Sequence, residues 1–179
     1  TVASAYAIRN ACMQKKDIEI TTPMKEELLH SSYVTMDMFY PYIRTYLMMT
    51  PSSKLSEYFL ISEGIENHLK KNAEKCATYQ EFIQACVNYR YTASKIRRCL
   101  VQIMMQITKE DVKNLPKLDT LRILAFNNKG REWLHSKRKE EVHIASKFAE
   151  IPKSYRDIEF QATQLYTSVL PEEERKRLL

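Results

Sequence analysis

The chain has 179 residues, of which 44% are hydrophobic, and it carries a formal net charge of +6. This length suffices for one compact domain or two small ones. Only two glycines and six prolines are present, which argues against glycine-rich phosphate loops and against a turn-rich β-fold. The remaining composition favours helices, and we predict an all-α, irregular multi-helix fold in which no strand can be placed.

Hydrophobic periodicity predicts helices through the first half of the chain. The first covers 4–14 with Ser4 as its N-cap, and the second begins at Pro23. A third covers 36–48, which requires Pro41 to lie in its first turn. The next helices are expected on both sides of a break near Gly64, through about Ala77, and from an N-cap at Thr78.

The best-defined helix begins after a candidate N-cap at Thr92. Its apolar residues repeat every three or four positions and form one stripe: Ile96, Cys99, Leu100, Ile103, Met104 and Ile107. Beyond Pro116, a short helix is predicted within 117–126 and another from about Lys129. Two more helices, at 154–170 and 171–179, close the chain.

Positive charge is concentrated in one part of the sequence. Residues 88–139 contain 13 Lys and Arg against 4 Asp and Glu, a net charge of +9, so the remainder carries −3. The densest part is "NYRYTASKIRRCL" at 88–100, where cations stand at the start of a helix although the helix dipole favours acidic residues there. An anionic ligand would remove this conflict, and Arg, Lys and Tyr together are typical of RNA contacts.

The sequence shows few signs of catalytic chemistry or metal binding. The four cysteines form no CxxC pair and no zinc-like spacing with the four histidines, so we expect reduced, mostly buried thiols in a cytoplasmic protein without a metal. No paired carboxylates or Ser/His/Asp arrangement can be recognised, and no apolar run approaches the roughly 20 residues of a membrane span. Because the sequence has no initiator Met, we expect part of a longer protein.

Three segments carry a resemblance to a known family. They are "ASAYAIR" at 3–9, "EGIENHL" with "FIQACVNYRYTASKIRR" within 63–98, and "LRILAFNNKGREWL" at 121–134. Together they resemble the carboxy-terminal region of the bacterial tRNA(Met) cytidine acetate ligase family, whose enzymes carry an HxGH-type nucleotidyltransferase domain. The middle segment is the most specific part of the match.

The resemblance implies an enzyme that makes acetyl-adenylate from ATP and acetate and then acetylates N4 of the wobble cytidine of elongator tRNA(Met). It implies that 1–16 are the end of a nucleotidyltransferase domain and that 17–179 form a helical tRNA-binding region. The HxGH-type motif does not occur in this sequence. We therefore expect most of the ATP site to lie outside this chain, and the chain alone to be inactive and without catalytic residues.

Matching positions give the site residues that the resemblance implies. In "ASAYAIR", similar to a SAT-x-IR motif, Ser4 and Arg9 would contact the nucleotide, and Tyr6 stands where Thr or Ser is expected. Lys129 and Arg131 would make secondary backbone contacts with RNA. The primary RNA contacts would come from the middle segment: Arg90, Tyr91, Thr92, Ser94, Lys95, Arg97 and Arg98.

Two other interpretations remain open from the sequence. The helix at 92–107 could enter a DNA groove in a DNA-binding or regulatory domain, although its apolar stripe and the lack of a clear helix-turn-helix partner argue against this. The chain could also be a helical protein-interaction module whose basic block is only solvated. A preference for duplex DNA over tRNA would favour the first interpretation, and no nucleic-acid binding at physiological salt would favour the second.

Overall fold

The computed structural model describes residues 5–13, 26, 28, 33–137 and 143–178. Most of the described chain is helical. The helices are α1 Ala5–Met13, α2 Met36–Met49, α3 Ser52–Leu55, α4 Ile65–Lys75, α5 Tyr79–Cys86, α6 Ala93–Met104, α7 Lys109–Lys113, α8 Asn128–Ser136, α9 Lys153–Thr167 and α10 Glu172–Leu178. Two strands, β1 Thr120–Arg122 and β2 His143–Ala145, flank α8 in sequence, and a 3₁₀ turn covers Phe148–Glu150. The predicted helix from Pro23 falls mainly outside the described residues.

The prediction of an all-α fold is wrong, because β1 and β2 form a parallel two-stranded sheet. Leu121 pairs with Ile144, and the Ile123 N–H donates to the Ala145 carbonyl over 3.0 Å. The short helix predicted within 117–126 is therefore replaced by a strand. Parallel strands need a long crossover connection, here the segment that contains α8, so their pairing leaves no local signal in either three-residue strand.

The main core lies between α2, α4, α5 and α6. The predicted stripe of α6 is confirmed at its centre, because Ile96, Cys99, Leu100 and Ile103 are all buried. All four cysteines are buried and free, as expected from their spacing. The helix α9 docks on this core through partly buried Leu165, and the Gln161 side chain donates to the Met105 carbonyl over 2.9 Å.

Hydrogen-bonded caps fix where the central helices begin. The hydroxyl of Thr78 accepts from the Glu81 N–H over 3.3 Å, and the Glu81 carboxylate accepts from the Thr78 N–H over 3.2 Å, which forms a capping box. Thr92 caps α6 as predicted. In α2, however, Pro41 lies in the second turn, since the helix already begins at Met36.

We expect the protein to lose stability as pH rises from about 10 to 12. The Tyr40 side chain is buried and its hydroxyl donates to the Cys76 carbonyl over 2.9 Å. Burial raises the pKa of Tyr40 to about 12, so the unfolded state loses this proton at a lower pH than the folded state. Stability from this group is therefore complete below pH 10 and is lost towards pH 12.

Urea unfolding of the protein and of Tyr40→Phe at pH 8 and pH 11 checks this expectation. The variant loses the hydrogen bond but should show the smaller decrease in unfolding free energy between the two pH values. Burial also raises the pKa of Tyr58, Tyr79, Cys86 and Cys99. Because these groups remain in Tyr40→Phe, the variant should still lose part of its unfolding free energy at high pH. An equal loss in both proteins would show that Tyr40 does not titrate in this range.

Candidate nucleic-acid interface

The basic block begins in a tight turn that leads directly into α6. The Asn88 side-chain oxygen accepts from the N–H groups of Arg90 and Tyr91 over 2.8 and 2.9 Å, and the Asn88 N–H donates to the Tyr91 carbonyl over 3.1 Å. The Thr92 hydroxyl then accepts from the Lys95 N–H over 3.3 Å and caps the helix. These bonds order the backbone that carries the first cations of the block.

Two of these cations converge on one carboxylate. The Glu63 Oε2 atom lies 3.6 Å from both Arg90 Nε and Lys95 Nζ. Glu63 has a φ of +59° and Gly64 one of +78°, so the chain turns here through the left-handed region. A non-glycine residue in that region is uncommon and points to a constrained position. No local pattern indicated this ion pairing, because Glu63 lies far from the block along the chain.

Both cations lie over the ring of Tyr91. Its side chain is only 5% exposed, and its hydroxyl donates to the Glu63 carbonyl over 2.8 Å. The Arg90 guanidinium carbon lies 5.6 Å and the Lys95 ammonium nitrogen 5.3 Å from the centre of its ring. The His68 ring lies 5.5 Å away. Tyr91 therefore positions the cations, and its ring does not face solvent as an RNA base would require.

Tyr89 has the opposite environment and was missed as a site residue. Its side chain is fully exposed at the tip of the turn, in contrast to Tyr91 two positions later. Asn88 indicates a turn here, because Asn side chains favour hydrogen bonds to nearby backbone N–H groups, but the sequence does not show which tyrosine faces solvent. Tyr89 is thus the aromatic ring of the block that a ligand can reach.

The remaining cations of the block lie on the exposed side of α6. Arg97 and Arg98 are both exposed, whereas the opposite side of the helix is packed in the core. The Arg98 side chain donates to the Ser94 carbonyl over 3.4 Å. Arg97 lies beside Tyr79, where it opposes the rise in pKa that burial causes. We call Arg90, Lys95, Arg97 and Arg98 the basic surface.

The second predicted cluster lies at the start of α8. Lys129 and Arg131 are exposed, and the Asn127 side chain caps the helix by accepting from the Gly130 N–H over 2.9 Å. The Arg131 guanidinium carbon lies 6.0 Å from the centre of the Phe126 ring. The cluster therefore combines cations with an exposed aromatic side chain.

The predicted nucleotide contacts cannot be placed in the same way. Ser4 lies outside the described residues, and Arg9 belongs to α1 although its side chain is not described. Both stay predictions from the motif. Within the described ranges, no group of three or more His, Cys, Asp or Glu side chains is arranged to hold a metal ion. No described helix is long and apolar enough to cross a membrane.

A cavity of about 400 Å³ lies away from these cations. It is bordered by α2, α6 and α9, and its lining is mainly aromatic and aliphatic: Phe39, Tyr42, Ile43, Tyr46, Ile103, Met104, Gln106, Leu165, Ser168 and Val169. No charged side chain belongs to this lining, so the cavity lacks the cations that favour phosphate binding. The basic surface and the start of α8, by contrast, present cations to solvent.

Comparison with known proteins places the chain among nucleotidyl transferases. The model of the HIGH Nucleotidyl Transferase family matches residues 1–178. The tRNA(Met) cytidine acetate ligase of Limosilactobacillus reuteri is 30% identical over 97% of this chain and 47% of its own length. That of Mycoplasmopsis synoviae is 38% identical over 60% of this chain and 34% of its own. The chain thus spans about half the length of the curated relatives it matches, or less.

Solved structures match along nearly the whole chain. Thermotoga maritima TmcAL in its apo form aligns with a TM-score of 0.78 and 23% identity, covering 97% of this chain and 48% of that one. The structure of the same protein bound with alpha-thio ATP also gives a TM-score of 0.78, at 23% identity, and covers 97% of this chain and 49% of that one. This likeness shows a shared fold, which is of the α/β type and again contradicts the all-α prediction.

Proposed function

The chain belongs to the HIGH Nucleotidyl Transferase family, and from that membership we propose that it is part of a tRNA(Met) cytidine acetate ligase. The names of its relatives support this activity, and the ATP analogue bound to a structural neighbour supports the use of ATP. In this proposal, residues 1–16 end the nucleotidyltransferase domain and 17–179 bind tRNA. Ser4 and Arg9 contribute to the nucleotide site, whose main part lies outside this chain.

The proposed reaction has two steps. An acetate oxygen attacks the α-phosphate of ATP, acetyl-adenylate forms and pyrophosphate leaves. The N4 amine of the wobble cytidine of elongator tRNA(Met) then attacks the acetyl carbon, AMP leaves and the amine loses a proton. We assign neither step to a described residue of this chain, and we expect the chain alone to bind tRNA without acetylating it.

The observation that carries this proposal is the ordered basic surface. Arg90 and Lys95 are held together by Glu63 and Tyr91, while Arg97 and Arg98 extend the charge along α6. Cations fixed beside a helix that is anchored in the core suit the phosphates of a folded RNA, which are themselves fixed in space. Only one carboxylate, that of Glu63, forms an ion pair with the basic surface among the described residues.

The other predicted residues take different roles in this interface. Ser94 is exposed on the first turn of α6 and can donate its hydroxyl to a phosphate or ribose. Thr92 orders the start of the helix, and Tyr91 positions the two cations above it. Stacking on a base is assigned to Tyr89, since its ring is exposed. Lys129 and Arg131 supply a second contact with the RNA.

A titration of this chain with elongator tRNA(Met), another tRNA and a DNA duplex at two salt concentrations tests the proposal. We expect binding that favours the methionine tRNA and weakens steeply with salt, because phosphate contacts release counterions. A preference for the DNA duplex would support a DNA-binding domain instead. No binding to any of the three would overturn the proposal and favour a protein-interaction module.

A further inference from the structure

Two large aromatic side chains at α8, one just before the helix and one within it, are exposed. Phe126 is 53% and Trp133 52% exposed, and Trp133 is the single tryptophan of the chain. Single exposed apolar side chains are common, but exposed apolar side chains that lie together on one element are typical of binding surfaces. We call Phe126 and Trp133 the aromatic face.

Gly130 allows the Phe126 side chain to lie close to the backbone of α8. A Cβ atom at Gly130 would lie only 3.0 Å from the Phe126 Cβ, so the glycine lets Phe126 lie directly against the helix backbone. A shallow, open depression of about 490 Å³ adjoins this contact and is lined by Ala125, Phe126, Asn127 and Gly130. A planar group therefore has room to lie against the Phe126 ring.

Helix geometry places Trp133 on the neighbouring part of the same face. It follows Gly130 by three positions and Lys129 by four, and side chains with these spacings are neighbours on a helix surface. The bare backbone of Gly130 lies between the two aromatic positions along the helix.

The charge around the aromatic face is suited to a polyanion. Lys129 and Arg131 are exposed, and no described acidic side chain lies within ion-pair distance of either. Arg131 contacts the Phe126 ring, while the acidic residue of α8 is Glu132. A purely apolar partner would leave these cations unpaired, whereas a single-stranded nucleic acid offers bases to the rings and phosphates to the cations.

We propose that the aromatic face stacks unpaired bases of a single-stranded RNA segment, such as a loop of tRNA, while Lys129 and Arg131 contact its phosphates. This inference rests on the proposed function and adds a base-binding site to the phosphate contacts of the basic surface. Stacking on aromatic rings requires bases that are not already stacked in a duplex. The site therefore selects a loop or a free strand over a double helix.

Trp133 itself reports on this site, because it is the only source of tryptophan fluorescence in the chain. The chain is titrated with a short single-stranded RNA and with an abasic oligonucleotide of the same length, which retains the phosphates. Labelled oligonucleotides measure binding by anisotropy in parallel. We expect the RNA to quench Trp133 fluorescence and the abasic strand to bind more weakly without quenching it.

A pair of matched variants separates stacking from general surface effects. Phe126→Leu retains apolar area but removes the ring, and we expect it to weaken binding of the single-stranded RNA about fivefold or more. Phe160→Leu is the control, since Phe160 is 54% exposed on α9 and so resembles Phe126 in exposure. The control should bind as the unaltered protein does, and neither variant should change the affinity for an RNA duplex.

The outcomes distinguish this inference from the proposed function. If anisotropy shows tRNA binding while Trp133 fluorescence is not quenched and Phe126→Leu binds normally, the proposal of base stacking on the aromatic face is overturned. The proposed function would then remain intact. Equal quenching by the abasic strand would also overturn it, since phosphates alone would then be responsible. No binding of any RNA would remove the proposed function, and this inference with it.

Discussion

Ile103→Ala should lower the free energy of unfolding by about 2–5 kcal/mol. The Ile103 side chain is 2% exposed and belongs to the central stripe of α6, which packs in the main core. Its removal takes away apolar packing and leaves space that rigid neighbours fill only in part. Because Ile103 also borders the cavity between α2, α6 and α9, water or a small rearrangement can reach the site, and we expect the lower part of this range.

Two further variants test which side of α6 is buried. Leu100 is fully buried and does not border the cavity, so Leu100→Ala should cost more than Ile103→Ala. Val101 is 41% exposed on the other side of α6, and Val101→Ala should cost less than about 1 kcal/mol. Urea unfolding of the three variants measures these differences. Equal costs for Val101→Ala and Ile103→Ala would mean that the stripe is not the buried side.

The helix phase of α6 was predictable because its signal is local. Apolar residues at spacings of three and four positions define one side of a helix whatever the rest of the fold, and the cap at Thr92 marks its start. The cations then had to lie off the stripe. The same reasoning correctly placed Thr78 as the cap of α5, where the structure contains a complete capping box.

The sheet was not predictable because its signal is not local. Each strand has three residues, and its hydrogen-bond partner lies more than 20 positions away across α8. Such short segments show no alternation that distinguishes a strand from a turn of helix. The resemblance also implied a helical region over 17–179, which favoured the same wrong prediction of a helix within 117–126.

The roles of the two tyrosines in the basic block could not be assigned from sequence either. Tyr89 and Tyr91 have the same chemistry and similar neighbours, yet one is fully exposed and the other is 5% exposed. The difference arises from a tertiary interaction, the bond from the Tyr91 hydroxyl to the Glu63 carbonyl. Since Glu63 lies 28 positions away, the pattern of the block alone carries no information about this choice.

The double variant Arg97→Ala, Arg98→Ala should weaken tRNA binding on the order of tenfold or more at low salt, because a fully formed hydrogen bond to a charged group contributes about 1.5–3 kcal/mol. The slope of log affinity against log salt should fall by about 0.7–0.9 for each phosphate that the variant no longer neutralises. Both side chains are exposed, so the unfolding free energy should change little. Binding isotherms at several salt concentrations measure both quantities.

Matched controls separate this effect from the general decrease in positive charge. Lys153→Ala with Lys176→Ala also removes two exposed cations, on α9 and α10, and should leave the affinity within about twofold. Glu63→Gln removes the carboxylate from between Arg90 and Lys95 and should raise the affinity, since both cations then face phosphate alone. If the two lysine substitutions weakened binding as much as the two arginine substitutions, net charge would explain the interaction and the basic surface would not be its site.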